Sequence, residues 1–265
     1  MTILSKRALA AVAIATLAPL TACGSAGSGS ATPSLRVSMA PAPAPGTILS
    51  SAQVTALVDA AYANLTSVHE SLSINTSVVP TIGEGDLVKD ASGLKVQMTL
   101  KAPSVAPIEL RVVGQGLYLK NLPRSGGKWV KLDPNDRRNP TVQTFGALTA
   151  ISPAQMYSQY QGGVTEATSL GADATGDHYQ VVINTAQALA HLPASLASNP
   201  AITQGMKGLP NTVRFNLWIK GGLLQQTLLD LGTAGSVTAK FTNYGEQVDV
   251  QVPPTAQMTS IPGLG

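Results

Sequence analysis

The chain has 265 residues, of which 12% are charged and 4% aromatic, with one cysteine and a formal net charge of +3. Charge is sparse against about 25% in ordinary globular domains, and a balance this near neutrality offers no electrostatic case for nucleic acid. A single cysteine excludes an internal disulfide and a zinc site of the cysteine type.

That cysteine, Cys23, closes Leu20-Thr21-Ala22-Cys23 after an apolar run from Ala8 that follows Lys6 and Arg7. A basic start, an apolar middle and small residues before a cysteine form the pattern of a bacterial lipoprotein signal. The run is broken by Thr16 and Pro19 and is shorter than the about 20 residues of a spanning helix, so it reads as a removable leader. Residues 1–22 are therefore expected to leave and Cys23 to carry acyl chains. Loss of Lys6 and Arg7, with no acid removed, takes the charge from +3 to +1. One acyl chain holds a protein only marginally, and two or more hold it firmly. The expected location is the extracytoplasmic face of the cell membrane, on the periplasmic side, anchored by lipid.

Residues 23–48 read as a tether. Gly24 to Ser30 is flexible linker chemistry, and Pro41-Ala42-Pro43-Ala44-Pro45 is stiffer. A first helix follows, predicted from about Ser51 to Thr66. Ser50 and Gln53 have capping-box spacing, with Leu49 and Val54 as the hydrophobic staple. Val54, Leu57, Val58, Ala61 and Leu65 recur on one helical face.

The period then changes to two. Leu94, Val96, Met98 and Leu100 alternate with polar residues, and Ile108, Leu110 and Val112 continue the pattern. Val213, Phe215, Leu217 and Ile219 repeat it, as do Val237, Ala239 and Phe241, then Val248, Val250 and Val252. Such alternation marks sheets with one face hidden from water. Turn signals at Asp90–Gly93, Gly114–Gly116, Gly126-Gly127, Thr175–Asp177, Gly221-Gly222 and Tyr244-Gly245 imply antiparallel hairpins. Between the two strand groups, Ser152-Pro153 opens a short predicted helix over 153–161, and another is predicted over about 185–197, broken by Pro193. Sheet, helices, then sheet is an α+β order.

Catalytic signatures are missing. His69, His178 and His191 have no HExxH spacing and no adjacent pair of acids, so surface or strand-end roles are expected and no metal or other cofactor. Gly114-Gln115-Gly116 runs into strand-like Leu117-Tyr118-Leu119, whereas the dinucleotide motif opens a helix. It reads as a hairpin turn. Asp136-Arg137-Arg138, between Pro134 and Pro140, reads as a solvated loop rather than a phosphate or headgroup contact.

Several segments resemble the mycobacterial lipoprotein family that includes LppX, LprA, LprF and LprG. They are Leu65-Thr66-Ser67-Val68-His69, Trp129-Val130-Lys131-Leu132 with Asp133-Pro134, Asn216-Leu217-Trp218-Ile219, and Leu231 to Val237 followed by Asn243-Tyr244-Gly245-Glu246. Their order, with the cysteine signal, carries the resemblance over most of residues 49–254. The chain departs from the family at Tyr244, which stands where the family has tryptophan, and in a longer stretch from Arg137 to Ala150.

The resemblance implies a curved antiparallel β-sheet, a half barrel, with helices packed on its concave face, as in LolA-type carriers. It implies one lipid-binding domain over 49–254 and a C-terminal tail over 255–265. It also implies a non-enzymatic carrier of lipids or glycolipids, their acyl chains held in a cavity, with an envelope transporter as a possible partner. The expected cavity lining is Leu57, Val58, Ala61, Leu94, Val96, Met98, Leu100, Ile108, Leu110, Val112, Val213, Phe215, Leu217, Ile219, Val237 and Phe241. Two other readings stand beside it: an envelope assembly or signalling lipoprotein with a solid core, and an exported hydrolase without a local motif.

Overall fold

The structure is a computed structural model. It describes residues 42–63, 65–76, 80–91, 93–133, 136, 139, 141–142, 162–192, 197, 203 and 206–261. Cys23, the helix predicted over 153–161 and Arg137-Arg138 lie outside the described residues.

Helix α1 (Ser51–Ala63) begins as the capping box requires. The Gln53 N–H donates to Ser50 Oγ at 3.2 Å, and the Ser50 N–H donates to Gln53 Oε1 at 2.8 Å. Leu49 and Val54, the staple pair, are both buried. The helix stops three residues before the predicted Thr66. The Thr66 carbonyl accepts from the Lys89 N–H at 2.7 Å, so sheet bonding already claims it.

Among the described residues twelve strands follow: β1 (Ser67–Thr76), β2 (Thr81–Asp90), β3 (Gly93–Lys101), β4 (Ile108–Val113), β5 (Gly116–Lys120), β6 (Trp129–Leu132), β7 (Val164–Ala172), β8 (Asp177–Asn184), β9 (Thr212–Lys220), β10 (Leu223–Asp230), β11 (Gly235–Thr242) and β12 (Met258–Thr259). They form one open sheet in the order β12-β6-β5-β4-β3-β2-β1-β11-β10-β9-β8-β7. Every pair is antiparallel except β12 with β6. Gly114-Gln115-Gly116 is the β4–β5 hairpin, where Val113 faces Gly116. Helix α2 (Thr185–Ala190) is the described part of the second predicted middle helix. Asn184 caps it, its Oδ1 accepting from the Gln187 N–H at 2.9 Å. Helix α1 packs against β10 and β7, and α2 against β8. The fold is α+β, a curved half-barrel sheet with the described helices on its inner face.

One predicted strand is not a strand. Val248, Val250 and Val252 lie in an irregular segment, with Val250 buried and Val252 exposed. The β11 strand already has β1 and β10 on its two sides, so no ladder is open to the chain that follows it. Asn243 and Gly245 take left-handed conformations (φ 55° and 79°) and turn the chain across the outer face. There Ser67 Oγ donates to the Glu246 carbonyl at 2.6 Å, and Arg111 Nη1 donates to the Gln251 carbonyl at 3.1 Å. The segment ends in β12, beside β6. At the other end of the chain, residues 43–49 run along β7. Gly46 N–H donates to the Ser169 carbonyl, Ser169 N–H to the Thr47 carbonyl and Leu49 N–H to the Ala167 carbonyl.

Candidate functional site on the inner face of the sheet

Strand register stacks the inward side chains into rows. One row reads Val68, Leu87, Val96, Val112, Leu117, Leu132 across β1 to β6. Another reads Leu217, Thr227, Ala239, Leu72, Gly83, Leu100, Ile108 from β9 to β4. The sixteen residues expected to line a cavity are brought to one place. Leu57, Val58 and Ala61 come from α1. Leu94, Val96, Met98, Leu100, Ile108, Leu110, Val112, Val213, Phe215, Leu217, Ile219, Val237 and Phe241 come from inward strand positions. All belong to one apolar cluster or pack against it, with Leu57, Leu94, Ile108 and Phe215 only partly buried.

The row between these two reads Phe241, Glu70, Gly85, Met98, Leu110, Leu119, Val130. Glu70 is a carboxyl in the middle of an apolar face. It is 1% exposed, and neither carboxyl oxygen has a hydrogen-bond partner among the described residues. Burial pushes its pKa up to about 8, so at neutral pH it holds its proton. Its register partners, Gly85 and Phe241, bring no polar side chain. Tyr244 is raised too, by burial first and then by the charge of Glu70. Its hydroxyl donates to the Leu224 carbonyl. Sequence reading passed over Glu70, although the signal was present. Val68, Leu72 and Ile74 alternate in the same phase, and a charge at their inward position breaks the pattern.

The outer face is polar. Two adjacent rows cross seven strands: Lys240, Ser71, Glu84, Thr99, Glu109, Lys120, Trp129, and Thr242, His69, Asp86, Gln97, Arg111, Tyr118, Lys131. They frame a shallow cleft of about 300 Å³. Lys120 Nζ lies 2.8 Å from Glu109 Oε1, and the Arg111 guanidinium sits 4.8 Å from the centre of the Trp129 ring.

His69 is not an unattended surface histidine. Its Nδ1 lies 2.8 Å from Asp86 Oδ1 and its Nε2 3.1 Å from Glu84 Oε2. Both acids come from β2, 17 and 15 residues away, so only the register reveals them. His178 stacks on Trp218, with ring centres 4.1 Å apart, and bonds Asn216 Oδ1. His191 follows the last turn of α2. Among the described residues, no group of three His, Cys, Asp or Glu side chains is arranged to hold a metal.

The His69 pKa is raised from its ordinary value of 6.5 by the hydrogen bond to Asp86 and then by that to Glu84, against partial burial, which lowers it. A folded-state value above the unfolded one contributes stability that is complete below about pH 6.5 and is lost as pH rises through the folded value. His69→Ala is therefore expected to lower the melting temperature more at pH 5.5 than at pH 8.5. Equal losses at both would show that the two carboxylates do not favour the protonated ring.

The fold class is thus an α+β half barrel whose inner face, among the described residues, is apolar around the buried Glu70. No protein-family model matches the chain, and no curated protein matches it. Among solved structures it is similar to the lipoprotein LppX of Mycobacterium tuberculosis. The two are 16% identical, with a TM-score of 0.48, over 76% of this chain and 97% of that one.

Proposed function

We propose that this chain is a membrane-anchored lipoprotein that shelters the acyl chains of a lipid or glycolipid behind the inner face of the sheet and carries them within the cell envelope. The observation that carries the reading is the continuity of that face. Apolar side chains stand in register from β6 to β1 (Leu132, Leu117, Val112, Val96, Leu87, Val68) and, further along β1, from β1 to β8 (Ile74, Val237, Leu229, Phe215, Val181), and α1 adds Val54, Val58 and Ala61 to the same cluster. Each methylene moved from water into such surroundings gains about 0.8 kcal/mol. A sixteen-carbon chain could gain on the order of 10 kcal/mol before ordering and cavity costs. Holding of this kind requires no catalytic group, and it suits a protein tethered at the extracytoplasmic face through Cys23. An envelope transporter would load or unload it.

Native mass spectrometry of the full chain extracted from host membranes tests this. The expected spectrum shows an acyl adduct at Cys23 and a lipid held without a covalent bond. Val96→Trp places a large ring on the inner face and is expected to cut uptake of a fluorescent acyl probe at least tenfold with little change in melting temperature. A lipid-free mass with no probe uptake would overturn the reading. Unfolding of Val96→Trp would assign position 96 to packed core rather than to the cavity lining.

A further inference from the structure

We propose that the Glu70 side chain is the polar contact of the lipid site and hydrogen-bonds an uncharged oxygen, the hydroxyl or ester carbonyl, of an acylated alcohol. The inference rests on the carrier reading and deepens it by naming the ligand's chemistry. A carboxyl buried with both oxygens unpaired is costly, and an apolar residue of similar volume in its place would ordinarily be neutral or stabilising. Glu70 nevertheless stands at the centre of the inner face, on the middle strand of the sheet, with buried Val68, Leu72 and Ile74 at the neighbouring inward positions of β1. Directly across from it β2 supplies Gly85 and, one inward position on, Gly83, neither with a side chain, while Leu87 at the inward position on the other side is apolar. The other strand neighbour supplies Phe241. The protein therefore brings an acid to the apolar face and no described partner to meet it.

The ligand's charge follows from the same surroundings. Burial keeps the carboxyl protonated at neutral pH, so it offers one donor and one good acceptor. Among the described residues, the other titratable group that interacts with it is the Tyr244 phenol, itself held protonated by burial. A cationic headgroup would have to be desolvated and Glu70 ionised to meet it, which takes two charges out of water beside Phe241 and the aliphatic rows. An anionic one would meet no counter-charge on β1, β2 or β11 at this position. A neutral oxygen at the start of an acyl chain uses the acid's proton and leaves the hydrocarbon to the aliphatic rows.

The test uses three probes that share a pyrene-tipped sixteen-carbon chain and end in a methyl group, a methyl ester or a glycerol monoester. Binding is measured on the delipidated full chain at pH 6. The wild type is expected to hold both esters at least tenfold tighter than the hydrocarbon. The glycerol ester matching the methyl ester would assign the contact to the carbonyl, and binding tighter still would assign it to the hydroxyl. Glu70→Leu should bind all three alike, whereas Glu70→Gln, whose amide still donates, should retain the preference. At pH 9 the ionised wild-type acid can accept but no longer donate, so it should lose its preference for the methyl ester, which offers only acceptors, while Glu70→Gln keeps it. An ester preference that survives in Glu70→Leu, or none in the wild type, overturns the assignment while hydrocarbon binding leaves the carrier reading standing. Failure of every probe to bind overturns both. Should Glu70→Leu fail to fold, the pH comparison of the wild type with Glu70→Gln decides the matter alone.

Discussion

The stability advantage of Glu70→Leu over the lipid-free parent is expected to grow steadily as pH rises between about 4.5 and about 8. Burial holds the proton on Glu70 in the folded chain well after the unfolded chain has shed it. Between those values the unfolded state binds fewer protons, so parent stability falls as pH rises. Above about 8 both states are ionised and the difference levels off. Urea denaturation of both proteins at pH 5, 6.5 and 8 measures it. A gap that does not change with pH would mean that water or a polar group reaches the carboxyl. Proteins of this size are stable by only about 5–15 kcal/mol, so one unpaired acid would set much of the pH response of the whole domain.

Gly85→Ala is expected to cost about 3 kcal/mol or more, at the upper end of what overpacking does. An added Cβ would lie 2.1 Å from the Gln97 carbonyl oxygen and 2.7 Å from the Met98 Cα, both on the backbone of β3, which cannot swing aside without breaking the β2–β3 ladder. Gly83→Ala is the control. Its Cβ would meet the ends of Leu100 and Met98 at 3.0 and 3.3 Å, which can turn away, and the Leu72 Cβ at 3.2 Å, which must give by a few tenths of an ångström, so a loss of only about 1 kcal/mol is expected. Chemical denaturation of the two variants should separate them clearly. Similar midpoints would show that β2 and β3 can part at Gly85 without penalty.

These two positions also show where sequence reading reaches its limit. The strands β3, β4, β9 and β11 were legible because their inward residues are large and aliphatic and their outward residues polar. In β2 the inward positions are Thr81, Gly83, Gly85 and Leu87, and in β7 the buried ones are Ala167, Ser169 and Gly171. Small inward residues erase the period-two signal even though their burial is complete. The Val248 to Val252 run errs in the opposite direction. It has the pattern of a strand, but the sheet has no open side beside β11. The helix start was legible because a capping box is local. The site follows the same division. The inward apolar positions could be read from alternation, and Glu70 could have been read as a charge in the wrong phase. The cage of Asp86 and Glu84 around His69 exists only through pairing of β1 with β2, which no spacing along the chain encodes.

An open sheet has two bare margins, and unpaired margins recruit other chains into aggregates. Here the two ends of the described chain occupy them. Met258–Thr259 lies against β6 on one side, and Gly46 to Leu49 bonds to β7 on the other. The protein thus shields itself from edge-to-edge polymerisation with these two segments, and a half barrel can stay unclosed without becoming sticky. Trimming either segment in search of a smaller crystallisable fragment would expose a strand and invite fibres or swapped dimers.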